Sequence, residues 1–138
     1  LQHKHLPEMQ HVCGLKNAPV FVPILGDFPQ GMATTVFLPG YEPERIHEAL
    51  TKHYEGQKLV SVAPLGYTEP VIYASTKAGK NDLELIVTGT GKQTIVTALF
   101  DNLGKGASGA AVQNMNLVLG FGGTTGLLPW TPAGRTYK

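Results

Sequence analysis

The chain has 138 residues, 42% hydrophobic and 15% charged, a balance that suits one globular domain with a sizeable core and excludes a disordered tail or a coiled coil. Its net charge is +1 and its eleven Lys and Arg residues are scattered, so no basic stripe exists to neutralise a nucleic-acid backbone, and no apolar run nears the ~18 residues of a membrane span. The single cysteine, Cys13, excludes an internal disulfide framework and suits a reducing compartment, so the expected setting is cytoplasmic, with neither nucleic acid nor membrane as partner.

Leu1 is not an initiator Met and no targeting segment follows it, so the chain is expected to continue upstream. Residues 1–5 suit an extended segment, and Pro7 and Glu8 suit the first turn of a short helix that Gly14 stops. Residues 18–25 (A-P-V-F-V-P-I-L) read as a strand that Pro19 and Pro23 push toward a sheet edge. A loop over 26–31 leads to a strand at 32–38. Pro43 opens a helix over 42–55, with Ile46, Leu50 and Tyr54 on one stripe and Glu48 and Lys52 paired outside. Weaker strands are expected at 59–62, 71–74 and 83–87; the Gly89-Thr90-Gly91 turn and a strand at 94–100 complete an antiparallel hairpin.

A helix from Asn102 or Leu103 to Leu119 follows. At 100° per residue, Leu103, Ala107, Ala110 and Leu117 share one side, and Ala111, Met115, Val118 and Leu119 cover most of the opposite one. The remaining stripe is Gly106, Gly109, Gln113, Asn116 and Gly120, so the helix is expected to be buried nearly all round, with something close against that narrow face. Beyond Phe121 the chain reads as irregular, with residues 129–138 a terminal extension anchored by Trp130.

Chemistry-bearing residues gather at both ends. His3 and His5, two apart in an extended segment, project to one side while Lys4 points away, and Glu8 on the next turn is placed to fix a tautomer or hold a substrate amide. Two plain surface or packed histidines would fit the same spacing. His3, His5, Glu8, His11 and Cys13 are all ligand types, yet no C-x-x-C or H-E-x-x-H spacing occurs, and no metal is expected. Cys13 stands at a helix C-terminus, where the dipole opposes a thiolate, and reads as a semi-buried inert thiol. The small-residue stripe fits either backbone packing or a planar ligand. Gly104, Gly106 and Gly109 have G-x-G-x-x-G spacing, but inside an amphipathic helix rather than after a strand, so no self-contained dinucleotide fold is read here.

The stretches H-K-H-L-P-E-M-Q (3–10), F-V-P-I-L-G-D-F-P-Q-G-M (21–32), D-N-L-G-K-G-A-S-G-A-A-V-Q-N-M-N (101–116) and T-T-G-L (124–127) resemble the N-acetyl-gamma-glutamyl-phosphate reductase family of arginine biosynthesis, in order and spacing throughout residues 2–128. The resemblance implies an α+β fold with a mixed, largely antiparallel sheet and flanking helices, like the C-terminal domain of glyceraldehyde-3-phosphate dehydrogenase. Residues 1–128 would be the catalytic and dimerisation domain of a homo-oligomer. Helix 102–119 would pack on a nucleotide-binding domain that this piece lacks.

The activity implied is NADPH-dependent reduction of an acyl phosphate to the semialdehyde through a cysteine thioester. Carried over by position, His3 matches the acid/base histidine, His5 and Glu8 match substrate-site positions, and Gly106, Ala107, Gln113 and Asn114 match the helix bordering the nicotinamide. The angular count puts Gly106 and Gln113 on the open stripe but Asn114 toward the apolar side. The family's nucleophile lies in a Gly-Cys-Tyr-Pro-type segment that Cys13 does not match, so this piece alone is not expected to turn over. Gln30, a further substrate-site position, stands where many members carry a basic residue; an amide donates hydrogen bonds but does not neutralise charge. Two alternatives stay open: a related reductase of aspartyl phosphate or carrier-bound glutamyl phosphate, and a non-catalytic dimerisation module.

Overall fold

The computed structural model describes residues 3–67 and 69–127. Helix α1 spans His5–Val12, strand β1 Met32–Pro39, helix α2 Pro43–His53, strand β2 Val60–Val62, strand β3 Leu83–Thr90, strand β4 Gln93–Phe100 and helix α3 Gly109–Val118. The strands form one sheet in the order β1-β4-β3-β2. β1 with β4 and β3 with β4 are antiparallel, and β2 runs parallel to β3. This is the expected α+β architecture with a mixed, largely antiparallel sheet.

The hairpin between β3 and β4 closes on Gly91 and Lys92, and Gly91 takes φ +57°, the sign that a glycine-first two-residue hairpin turn needs. Side chains alternate between faces, so the register sets Ile86, Thr97 and Leu99 on one face and Leu85, Val87 and Thr94 on the other. All six are buried, so both faces of the central strands are covered. The connection from β2 to β3 covers the first face, where Ala63, Tyr67 and Ile72 pack against Ile86 and Leu99. Its 3-10 turn, Ala74–Lys77, is tied to β3 by Lys77, whose ammonium lies 2.6 Å from Asp82 and 3.7 Å from Glu84.

Helix α2 lies against β2, β3 and β4. The Thr94 hydroxyl donates to the Tyr41 carbonyl at 2.6 Å just before the helix, and His47 Nε2 donates to the Ala63 carbonyl at 3.0 Å. Pro43 at its first turn is buried, while Ile46, Leu50 and Tyr54 are half-buried along the expected stripe.

Four expectations are corrected. Residues 18–25 form no strand: Pro19 and Pro23 lack the N–H a ladder requires, and Val20 and Leu25 stand 95% and 97% exposed. Residues 71–74 are not a strand either, because Thr76 and Ala78 bond back to Tyr73 and Ser75 and curl the segment into the 3-10 turn. Cys13 is exposed rather than semi-buried. The last helix is not buried all round. It opens with a π-helical turn, Gly104–Ser108, in which the Gly106 and Ser108 N–H groups reach back five residues to the Asp101 and Leu103 carbonyls. Only Gly109 and Asn116 of α3 are buried; Met115, Leu117 and Val118 are open.

The helix ends at Gly120, φ +76°, with the Phe121 N–H on the Asn116 carbonyl and the Gly120 N–H on the Leu117 carbonyl. Beyond it Leu127 is buried, its carbonyl accepting from the Asn81 amide. The proposed extension at 129–138 and its anchor Trp130 lie outside the described residues.

Ile86, 1% exposed between Ala63 and Leu99, is the test of this core. Ile86→Ala in the full-length protein is expected to lower unfolding free energy by about 3 kcal/mol, and Ile86→Val by about 1 kcal/mol, read by urea denaturation.

Candidate functional site

Residues 3–5 form a turn into α1 rather than an extended segment. Lys4 is in the right-handed helical region and α1 begins at His5, which carries the His3 and His5 rings to 4.7 Å between centroids, edge to face. The His5 N–H donates to His3 Nδ1 at 3.3 Å. The His3 ring also packs on Phe21 at 4.8 Å, so the 18–25 segment supplies a wall to the pair. The helix rather than strand pairing therefore brings the two imidazoles together. With Nδ1 accepting, a neutral His3 carries its proton on Nε2, which has no partner among the described residues. Glu8 and His11 are exposed on α1, and no three His, Cys, Asp or Glu side chains among the described residues gather as a metal would require.

A second constellation surrounds Asp101, at the end of β4. This carboxylate is 1% exposed and accepts from four donors on three segments: the Leu103 and Gly104 N–H groups on Oδ1 at 2.7 and 2.8 Å, and the Gln30 amide at 2.7 Å and the Gly79 N–H on Oδ2. The Gly104 and Gly79 N–H groups hold its carboxyl below the usual carboxylate range against the opposing effect of burial, with Leu103 and Gln30 adding to them. Next to it Asn102 Oδ1 accepts the Gly31 N–H at 2.8 Å. Gly31 has φ +116°, and a Cβ there would come 2.5 Å from the Ala74 carbonyl oxygen, so only glycine lets the loop seat against the 3-10 turn.

The glycine stripe has its explanation in this same region. A Cβ at Gly109 would meet Asn81 Oδ1 at 2.3 Å, one at Gly104 the Lys80 carbonyl at 2.6 Å, and one at Gly106 the Phe100 ring at 3.0 Å. The narrow face packs on the domain's own hairpin approach, and Asn116 donates to the Thr125 carbonyl at 2.9 Å. Ala107 and Asn114 are exposed, and Gln113 is half-buried with its Oε1 accepting from Lys105 Nζ at 2.7 Å. Ala107 and Asn114 are thus open at the surface, whereas a Cβ at Gly106 would press on the Phe100 ring.

The structure joins His3 to His5, Gln30 to the start of the last helix through Asp101, and Gln113 to Lys105. It records no bond between Glu8 and the other candidates among the described residues. Sequence reasoning passed over Asp101, Asn102 and Lys105 as site builders. An Asp-Asn pair directly before a glycine-rich helix is a capping signature and was the available signal.

Because the Asp101 pKa is depressed in the folded state, its contribution to stability is complete above the unfolded value of about 3.9 and is lost as pH falls through the folded value. Urea unfolding of the full-length protein is expected to show Asp101→Asn less stable by about 2 kcal/mol at neutral pH, the gap narrowing only below about pH 4. A gap that stays constant into strong acid would contradict this assignment.

Comparison with known proteins bears directly on these motifs. Residues 1–102 match the family model for the semialdehyde dehydrogenase dimerisation domain. The chain is 50% identical over 127 residues to an N-acetyl-gamma-glutamyl-phosphate reductase of Sinorhizobium fredii, covering 86% of this chain and 41% of that protein. It is 50% identical over 131 residues to the reductase of the same name from Brucella anthropi and 48% identical over 130 residues to that of Brucella ovis, in each case covering 87% of this chain and 42% of the relative. The chain therefore spans about two-fifths of the length of the curated relatives it matches. With the α+β sheet and the family match over most of its length, the chain belongs to the semialdehyde dehydrogenase dimerisation-domain family.

Proposed function

We propose that residues 1–128 form the catalytic and dimerisation part of an NADPH-dependent N-acetyl-gamma-glutamyl-phosphate reductase, working in the cytoplasm as a homo-oligomer. The observation that carries this reading is the half-exposed His3, whose Nδ1 accepts from the His5 N–H and whose Nε2 has no partner among the described residues. A histidine ring there suits both directions of proton transfer once Nδ1 carries its own proton, since Nε2 then gives a proton as the cation and takes one as the neutral ring. As the cation, with Nδ1 protonated and released from the His5 N–H, His3 would give its Nε2 proton to the oxygen that gains charge when the thioester is reduced, and the resulting neutral ring would take the proton back at Nε2 as the aldehyde forms. His5 and Glu8 would line the substrate on the same turn, and Phe21 would exclude water from one side of His3.

NADPH, when bound, supplies the hydride. On this chain Ala107 and Asn114 would border it on their exposed face, with the Gly106 backbone and with Gln113 held by Lys105. The nucleophilic thiolate would come from a segment upstream of Leu1. Cys13 is exposed at the end of α1, where the helix dipole does not favour a thiolate. The open apolar flank of α3, with Met115, Leu117 and Val118, suits the nucleotide-binding domain, and exposed Val20, Ile24 and Leu25 with Phe37 of β1 suit a second copy.

In the full-length enzyme, His3→Ala is expected to lower kcat by about 100-fold or more with N-acetyl-gamma-glutamyl phosphate and NADPH, while Cys13→Ser keeps kcat within about twofold. A His3→Ala enzyme with unchanged kcat would favour a non-catalytic module instead. Preference for aspartyl phosphate in the same assay would move the chain to the related reductase.

A further inference from the structure

The 24–31 loop, the start of β1, Ala74 and Asn102 enclose a groove of about 400 Å³. Among the described residues its lining side chains are apolar except for Gln30 and Asn102, and they include no cation. The orientation of both amides is set by what they already touch. Asp101, buried and held ionised, only accepts, so Gln30 must turn Nε2 toward it and leave Oε1 outward. The Gly31 N–H only donates, so Asn102 must turn Oδ1 toward it and leave Nδ2 outward. Neither outward atom has a partner among the described residues, and neither is sealed from solvent.

Among its side chains the groove therefore presents one hydrogen-bond acceptor, one donor and apolar groups. Those features complement a secondary amide, whose N–H and C=O are a donor and an acceptor on a short apolar body. An anion fits poorly, since Gln30 offers it a carbonyl oxygen and the Asp101 carboxylate stands directly behind. We propose that Gln30 and Asn102 are specificity-determining residues that recognise the acylamino group of the substrate: Gln30 Oε1 accepts its N–H and Asn102 Nδ2 donates to its acyl oxygen. Phe28 and Met32 then receive the acyl methyl. The inference rests on the substrate reading under Proposed function and names which part of that substrate this groove holds.

Calorimetry on the full-length protein tests it with N-acetyl-L-glutamate and its ester counterpart 2-acetoxyglutarate, which keeps the acyl oxygen but lacks the N–H. The amide is expected to bind about tenfold more tightly, because the ester oxygen sets a lone pair against Gln30 Oε1. In Gln30→Met the ratio is expected to fall to about 1, and Asn102→Asp is expected to weaken both probes by a similar factor of about ten. Equal binding of the two probes by the parent protein, no binding of either, or an unchanged ratio in Gln30→Met would overturn the proposal. The parental ratio needs no variant, so the test stands if a substitution prevents folding. Discrimination between the probes without reduction of the acyl phosphate would sustain the groove assignment and remove the proposed reductase activity.

Discussion

The Asp101 carboxylate is the point on which the candidate site depends. It lies where β4 leaves the sheet and the glycine-rich turn begins, and it draws donors from the 26–31 loop, the 78–80 turn and the first two helical positions after Asn102. A buried carboxylate without a cation is costly unless hydrogen bonds replace the water it loses. Four donors do so here, and each bond to a charged acceptor contributes about 1.5–3 kcal/mol. Three segments distant in sequence thus share one anchor, and none can shift without exposing a donor or starving the acceptor. Through this anchor the loop bearing Gln30 is held in register with the turn bearing Gly106 and Ala107.

The glycines around this anchor serve approach rather than flexibility. Gly104 and Gly109 admit the Lys80 carbonyl and the Asn81 side chain at distances a Cβ would forbid, and Gly106 admits the Phe100 ring. Close packing of backbone on backbone forces the wider π turn at the head of the helix, since the Gly106 and Ser108 N–H groups then reach Asp101 and Leu103 rather than the usual partners. The inward face of α3 is spent on this contact. Its bulky apolar residues Met115, Leu117 and Val118 are left outside.

Much of the scaffold was legible in residue pattern. The alternation through residues 83–87 and the Pro43 helix start follow from local rules and stand where the pattern put them, while the turn expected over 89–91 falls at Gly91 and Lys92, with Gly89 and Thr90 paired in β3. The segments that misled were those whose state depends on partners. Residues 18–25 are rich in Val, Ile and Phe, yet two prolines deny the segment a ladder, and β1 already takes the open side of β4. Residues 71–74 looked like a strand by composition, but the tie from Lys77 to Asp82 and Glu84 draws the following turn onto β3. The angular count on the last helix picked out the stripe whose Gly109 and Asn116 turn inward, but it expected the apolar sides to be covered; those sides are open, and Asn114 stands exposed with them.

Sequence by itself determined the α+β class, the hairpin, the start of α2 and the family, because these rest on local propensity, turn chemistry and motifs that are contiguous in the chain. Only the tertiary structure decided that His3 stacks on His5 across a helix start, which face of the last helix turns inward, and which way the Gln30 and Asn102 amides point. Those outcomes depend on donors and acceptors brought together from about 71 residues away, as Gln30 and Asp101 are. Local pattern specifies which groups a residue carries, and long-range pairing determines which of those groups remain free to act.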